Sequence, residues 1–312
     1  MSQRAKKATI RAFMIIPSLL IMVTVVFFLI RLTGDPVRAV LGDYSSPEAI
    51  ALVRQELGLD KPLFVQYGMY LMNLARGNMG TSLVDGGSVA HDIVVAVPHT
   101  LLLAFSAFGI AVIIAIPLGI IAAVRRNTWA DMAAVVFATV GRVIPSFVLG
   151  ILLMLLFSLK LGWFPMMGVG EGSSIFMHLV LPALALGIHE AGLICRMTRS
   201  AVLEVLGSEY VRTARAKGLN EKIVLWRHVL RNAMITLVTV LGLRLARVVG
   251  GSVVVETLFV RVGMGRLMVD AIYARDFPVV QGCILVFGAW VLILNLVVDL
   301  LYGVFDPRVQ GV

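Results

Sequence analysis

Of 312 residues, 59% are apolar and only 14% charged, and the mean hydropathy is +0.95. Soluble domains carry roughly a quarter charged residues, so a water-soluble enzyme is excluded and a polytopic membrane protein is expected. The net charge of +9 would suggest nucleic acid in a soluble chain, but here the basic residues sit in particular loops, where membrane orientation explains them.

A helix rises about 1.5 Å per residue, so about 20 apolar residues cross a hydrocarbon core about 30 Å thick. In chain order, the first such run is Ala12–Ile30, an uncharged apolar stretch 19 residues long. It is too long for a signal-peptide core, and no small-residue cleavage site follows it. Thr100–Val124 carries no charge, and Met132–Leu159 is interrupted only by Arg142. Ile175–Ile194 carries His189 and Glu190, Ala233–Val255 carries Arg244 and Arg247, and Val279–Tyr302 carries Asp299 near one end. These runs predict an all-α protein with six transmembrane helices. Pro17, Pro117, Pro145 and Pro182 fall inside spans, where prolines are tolerated.

Orientation follows from lysine and arginine in the short loops. Arg4, Lys6, Lys7 and Arg11 precede the first span, and Arg125 and Arg126 follow the second. Arg196, Arg199, Arg212, Arg215, Lys217, Lys222, Arg227 and Arg231 follow the fourth. With six spans these segments share one side, so both termini are expected in the cytoplasm. The loop Arg31–His99 leans acidic and is expected outside. Within it, Ser46–Leu59 has helical spacing and ends at Gly58, and the helical pattern continues through Val65–Leu74.

Between the fourth and fifth spans lies a basic block, Glu209, Tyr210, Val211, Arg212, Thr213, Ala214, Arg215, Ala216, Lys217, Gly218 and Leu219. Ser208 is the expected N-cap, Glu209 complements the positive helix end, and Gly218 suits the left-handed position after the last turn. Tyr210, Val211 and Ala214 are expected to share a face. Such a helix of about nine residues is unstable alone and needs a packing partner. A second helical pattern follows in Ile223, Trp226, Val229 and Leu230. The residues are equally consistent with a helix seated in a partner's groove and with a positive-inside loop touching lipid headgroups.

This block resembles the cytoplasmic EAA loop of binding-protein-dependent ABC importer permeases, in the dipeptide/oligopeptide/nickel branch, where it reads like YVRTARAKGL followed by an RHxLRNA-type helix. Here RHVLRNA stands at Arg227–Ala233. Further matches keep the family's order: TGDP at Thr33–Pro36, LGLDKPLFVQYGMYL at Leu57–Leu71, MGTS at Met79–Ser82 and PHTLLL at Pro98–Leu103. GMGRLMVDAI at Gly263–Ile272, RDFPVVQG at Arg275–Gly282 and NLVVDLLYGVFDPR at Asn295–Arg308 complete the series. Departures are Arg212, Thr213 and Ala214 in place of the family-wide Glu-Ala-Ala, as is usual in the peptide branch, and Thr236 and Val262 where prolines are common.

The resemblance implies the type I ABC importer transmembrane fold in the bacterial inner membrane. Residues 1–95 would hold the first span and the periplasmic loop, 96–303 the permease domain with its coupling loop at about 195–232, and 304–312 a cytoplasmic tail. The implied partners are a second permease in a heterodimer, two ATPase subunits, an extracytoplasmic binding protein and lipid, with no nucleic acid. The chain has no GxxxxGK[ST] loop, and its five histidines lack ligand spacing. No catalytic residue, metal or cofactor is therefore expected on it; the resemblance implies that ATP and Mg act on the partner subunits. The alternative from another class is an ion-gradient-driven secondary transporter, which commonly carries an internal repeat; none is seen. A scaffold without transport would not need charges at membrane depth. Arg142, His189, Glu190, Arg244 and Arg247 admit two readings. Either they line the path of a charged or zwitterionic solute, or they form interhelical ion pairs such as Glu190 with one of the arginines. The substrate stays open among peptides, nickel, glutathione and similar solutes.

Overall fold

The computed structural model describes residues 3–33, 37, 48, 51, 54, 55 and 58–305, with side chains over 13–31 and 58–298 and at those five isolated positions. Most of the expected helix Ser46–Leu59, and the side chain of Asp299, lie outside the described residues. Among the described residues the helices are α1 (Gln3–Thr33), α2 (Leu63–Ala75), α3 (Val89–Val124), α4 (Trp129–Val143) and α5 (Ser146–Lys160). They continue with α6 (Ser174–Leu206), α7 (Glu209–Ala216), α8 (Glu221–Leu258), α9 (Met264–Tyr273) and α10 (Phe277–Phe305).

Five of these are long and apolar enough to cross a membrane, and α4 with α5 makes a sixth if the bent pair is one span. The expected run Met132–Leu159 is thus not a straight helix: it bends by 100° between α4 and α5. The cause is local. Ile144 precedes Pro145 and takes the extended conformation, φ −78° and ψ 118°, as a pre-proline residue prefers. Pro17 and Pro182, by contrast, sit inside continuous helices. The fourth span runs further than its apolar stretch, because α6 continues to Leu206 and takes in Arg196 and Arg199, which the loop reading had placed outside it.

The chain divides into two compact units. One comprises Met1–Ala12, Leu101–Arg261 and Val291–Val312; the other comprises Phe13–Thr100 and Val262–Trp290.

In the second of these, α2 packs on α1 through aromatic rings. Phe27 stacks on Tyr70 at 5.6 Å between centroids and meets Tyr67 at 5.3 Å. Thr24 and Tyr67 share a hydroxyl hydrogen bond of 2.6 Å, and Arg31 Nε donates to Gln66 Oε1 at 3.0 Å. The sequence blocks of this unit meet in pairs. Ser82 Oγ of the MGTS stretch donates to Asp276 Oδ2 of RDFP at 2.5 Å, and the Leu83 amide donates to Asp276 Oδ1 at 3.2 Å. The Met264 amide of the glycine turn donates to Thr100 Oγ1 of PHTLLL at 2.8 Å. Each pair satisfies a buried polar group, as burial requires.

In the other unit, α6 is the central helix, with Leu186, Ala191, Ile194 and Cys195 buried. Small residues let its neighbours approach closely, as membrane helices favour. A side chain's Cβ at Gly187 would lie 2.7 Å from the Ala107 carbonyl oxygen of α3, and one at Gly192 would lie 2.6 Å from the Ala138 carbonyl oxygen of α4. Backbone atoms cannot step aside. Gly192→Val is therefore expected to destabilise the α4–α6 contact by about 1–3 kcal/mol or more, read as a lower thermal midpoint of the detergent-solubilised protein. A substitution at Gly250, where a Cβ meets nothing within 4 Å, should be nearly neutral.

Candidate functional site

The block between the fourth and fifth spans folds as the short helix α7, followed by a turn into α8. The expected cap is not made: the Ser208 hydroxyl turns back and donates to the Val205 carbonyl at 2.6 Å. The Ser208 backbone carbonyl instead accepts from the amides of Val211 and Arg212 at 3.2 and 3.3 Å. Glu209 stands in the first turn and pairs with Arg212 at 2.8 Å, both well exposed. At the other end Gly218 is left-handed, with φ +77°, and its amide donates to the Arg215 carbonyl at 2.9 Å. Across the turn, Arg215 donates through Nε and Nη2 to the two carboxylate oxygens of Glu221, at 2.8 and 3.2 Å. Asn220 caps α8 by accepting from the Lys222 amide at 2.9 Å.

A helix of eight residues needs tertiary support. It comes from Val211 and Ala214, which are buried in a cluster with Ala123 of α3, Ala201 and Val202 of α6, and Val224, Val229, Leu230, Ala233 and Leu237 of α8. Tyr210 does not share that face. It is 44% exposed, and with Leu219, Ile223 and Trp226, the last 70% exposed, it forms an outward apolar surface. Thr213, Ala216 and Lys217 are exposed beside it. The second helical pattern likewise splits, Val229 and Leu230 inward and Ile223 and Trp226 outward. The segment Val224–Leu230 has the wider π-helical winding, a local irregularity that recurs at functional sites.

At membrane depth, Glu190 of α6 and Arg244 of α8 form an ion pair at 2.9 Å, with side chains 8% and 14% exposed. His189 Nδ1 lies 3.2 Å from the Ile144 carbonyl oxygen, the group left open at the α4–α5 bend. Arg142 and Arg247 are exposed. Arg244 and Arg247 therefore do not act as one face: the first turns inward to Glu190, the second outward.

Several polar groups were not singled out from the sequence. Asp131 is buried in α4, and its carboxylate accepts from Arg199 Nε at 2.6 Å, from Arg199 Nη2 at 2.8 Å and from the Asn127 amide at 3.0 Å. Arg261 is fully buried and donates to the His178 carbonyl at 3.0 Å. Burial lowers its pKa, with the nearby charge of Glu256 opposing the shift. An acidic residue in the first turn of an apolar helix, as Asp131 is, was the available signal. Arg261 follows the end of α8 and carried none.

The comparisons with known proteins agree with this architecture. The family described as "Binding-protein-dependent transport system inner membrane component" matches residues 115–311, and its N-terminal counterpart matches residues 5–104. The glutathione transport system permease protein GsiC of Salmonella typhimurium (strain LT2) is 43% identical over 297 residues, covering 95% of this chain and 96% of the relative. A Brucella suis biovar 1 permease, provisionally named for peptide transport, is 43% identical over 300 residues with the same coverage. Among solved structures, a chain of the MetNI methionine ABC transporter in an inward-facing conformation superposes with a TM-score of 0.59 at 19% identity. The match covers 69% of this chain and 96% of that one. An amino acid ABC transporter crystallised with histidines gives a TM-score of 0.55 at 15% identity, covering 68% and 93%; both show the fold alone. The family stands against an ion-driven secondary transporter, and the chain belongs to the binding-protein-dependent ABC importer permeases as a multi-pass inner-membrane subunit of the peptide and glutathione group.

Proposed function

We propose that this permease forms half of the translocation path for glutathione or a peptide-like solute and couples to ATPase subunits through Glu209–Leu219. The observation that carries the coupling is the seating of α7. Its inner face is held by the ends of three long helices, while Tyr210, Leu219, Ile223 and Trp226 face outward with Arg212 and Lys217 around them. A rigidly backed, aromatic and basic surface suits a protein groove better than a headgroup layer, which needs no fixed geometry. ATP and Mg then act on the partner subunits, with no cofactor on this chain. The path would run along the faces bearing Arg142 and Arg247. Both are exposed in the single chain, and charges at membrane depth face water or protein. A second, different permease would cover the other side. Two arginines suit a solute with free carboxylates, as the relative's glutathione has.

The proposed orientation, both termini cytoplasmic and residues 38–92 outside, rests on the loop charges. It is tested together with docking by single cysteines. The native Cys195 and Cys283 are buried and give little background. A cysteine at position 85 should react with impermeant reagents from outside. One at 226 should react only from the cytoplasmic side and should cross-link to an ATPase subunit in the assembled importer, whereas one at 177, also exposed, should not. Labelling of 85 only from the cytoplasm would reverse the orientation, and equal cross-linking at 177 and 226 would remove the docking assignment.

A further inference from the structure

The Asp131 carboxylate gathers three donors from two places in the chain: both nitrogens of the Arg199 fork and the Asn127 amide. Asn127 is left-handed, φ +62°, and makes the corner between α3 and α4. Arg199 lies near the end of α6, seven residues before Leu206. The same two places wall the seat of α7. Ala123, at the end of α3, and Ala201 and Val202, within one turn of Arg199, belong to the buried cluster that holds Val211 and Ala214.

We propose that Asp131 and Arg199 are positioning residues for energy coupling: a bidentate strut that keeps the α3–α4 corner and the end of α6 together, so that a displacement of α7 is passed to α4 and the bent span. This rests on the docking reading above. Without the strut the seat remains apolar and α7 stays bound, but the α3–α4 corner loses its polar tie to the end of α6. A planar fork gripping both oxygens fixes orientation as well as distance.

The test uses the complete importer reconstituted in vesicles, comparing Asp131→Asn, Arg199→Gln, Arg199→Lys and the double variant Asp131→Asn/Arg199→Gln. The readouts are ATPase co-purification and solute transported per ATP hydrolysed. The single neutral variants should retain co-purification while transport per ATP falls about tenfold, because each removes the two-point grip between the corner and α6. Arg199→Lys, which keeps the charge but not the fork, should fall between them and wild type. The double variant should be no worse than the worse single variant, because the two side chains act as one unit. A loss of assembled complex with wild-type transport per ATP would make the pair merely structural and overturn the proposal, as would additive losses in the double variant. Failure of the docking reading is distinguishable: the cross-link at position 226 would then be absent in the wild-type complex itself.

Discussion

Glu190→Ala is expected to destabilise the permease by about 3–5 kcal/mol, the cost of leaving one partner of a buried ion pair uncompensated. The pair is desolvated on both sides and joins α6 to α8 at 2.9 Å. Removing either partner strands the other charge in a desolvated place, and Glu190→Gln, which keeps an acceptor for Arg244 Nε, should lie between wild type and Glu190→Ala. Thermal unfolding of the detergent-solubilised subunit reads this order. Arg142→Ala and Arg247→Ala, at exposed positions, should stay within about 0.5 kcal/mol of wild type while altering solute uptake. Equal costs for Glu190→Ala and Arg142→Ala would mean the ion pair contributes nothing particular.

Gly218→Val should reduce ATPase co-purification about five- to thirtyfold, the factor that 1–2 kcal/mol represents. The cause is conformational. Gly218 sits at φ +77°, and a Cβ there would meet nothing within 4 Å, so no clash contributes. The left-handed backbone itself costs an L side chain about 1–2 kcal/mol, with a β-branched one worst placed. Relief would come by rotating the turn, which would break the Gly218 amide bond to Arg215 and the Arg215–Glu221 bridge and re-aim Tyr210 and Trp226. Gly218→Asn is the discriminating control, because Asn tolerates this region and should assemble nearly as wild type. Arg212→Glu should weaken assembly less than Gly218→Val, since its pair with Glu209 is solvent-exposed and such pairs are worth about 0–1 kcal/mol.

The spans were legible because hydrocarbon demands long apolar runs, and α3 and α10 show this with almost no charge to confuse the count. The bend at Pro145 was not. A proline in a span is compatible with either a straight or a broken helix, and the choice depends on whether a neighbour receives the freed carbonyl, as His189 does for Ile144. The same limit applies to Arg199. As one positive charge among many beside a span it read as an orientation signal, and only the fold brings Asp131, 68 residues away in sequence, to within 2.6 Å. For α7 the glycine end was readable from residue type, because few residues adopt that backbone. The serine end was not, because its hydroxyl had a competing acceptor at Val205. The motifs MGTS and RDFP gave no hint of each other until Ser82 and Asp276 met, since their sequence separation of 194 residues carries no periodic signal.

The most direct test of the central claim is uptake into vesicles reconstituted with this subunit, its partner permease, the two ATPase subunits and the binding protein. With ATP on the ATPase side, glutathione or a short peptide should accumulate, and omission of the ATPase subunits should abolish uptake even under an imposed proton or sodium gradient. Uptake by this subunit alone, driven by such a gradient and indifferent to ATP, would contradict the account.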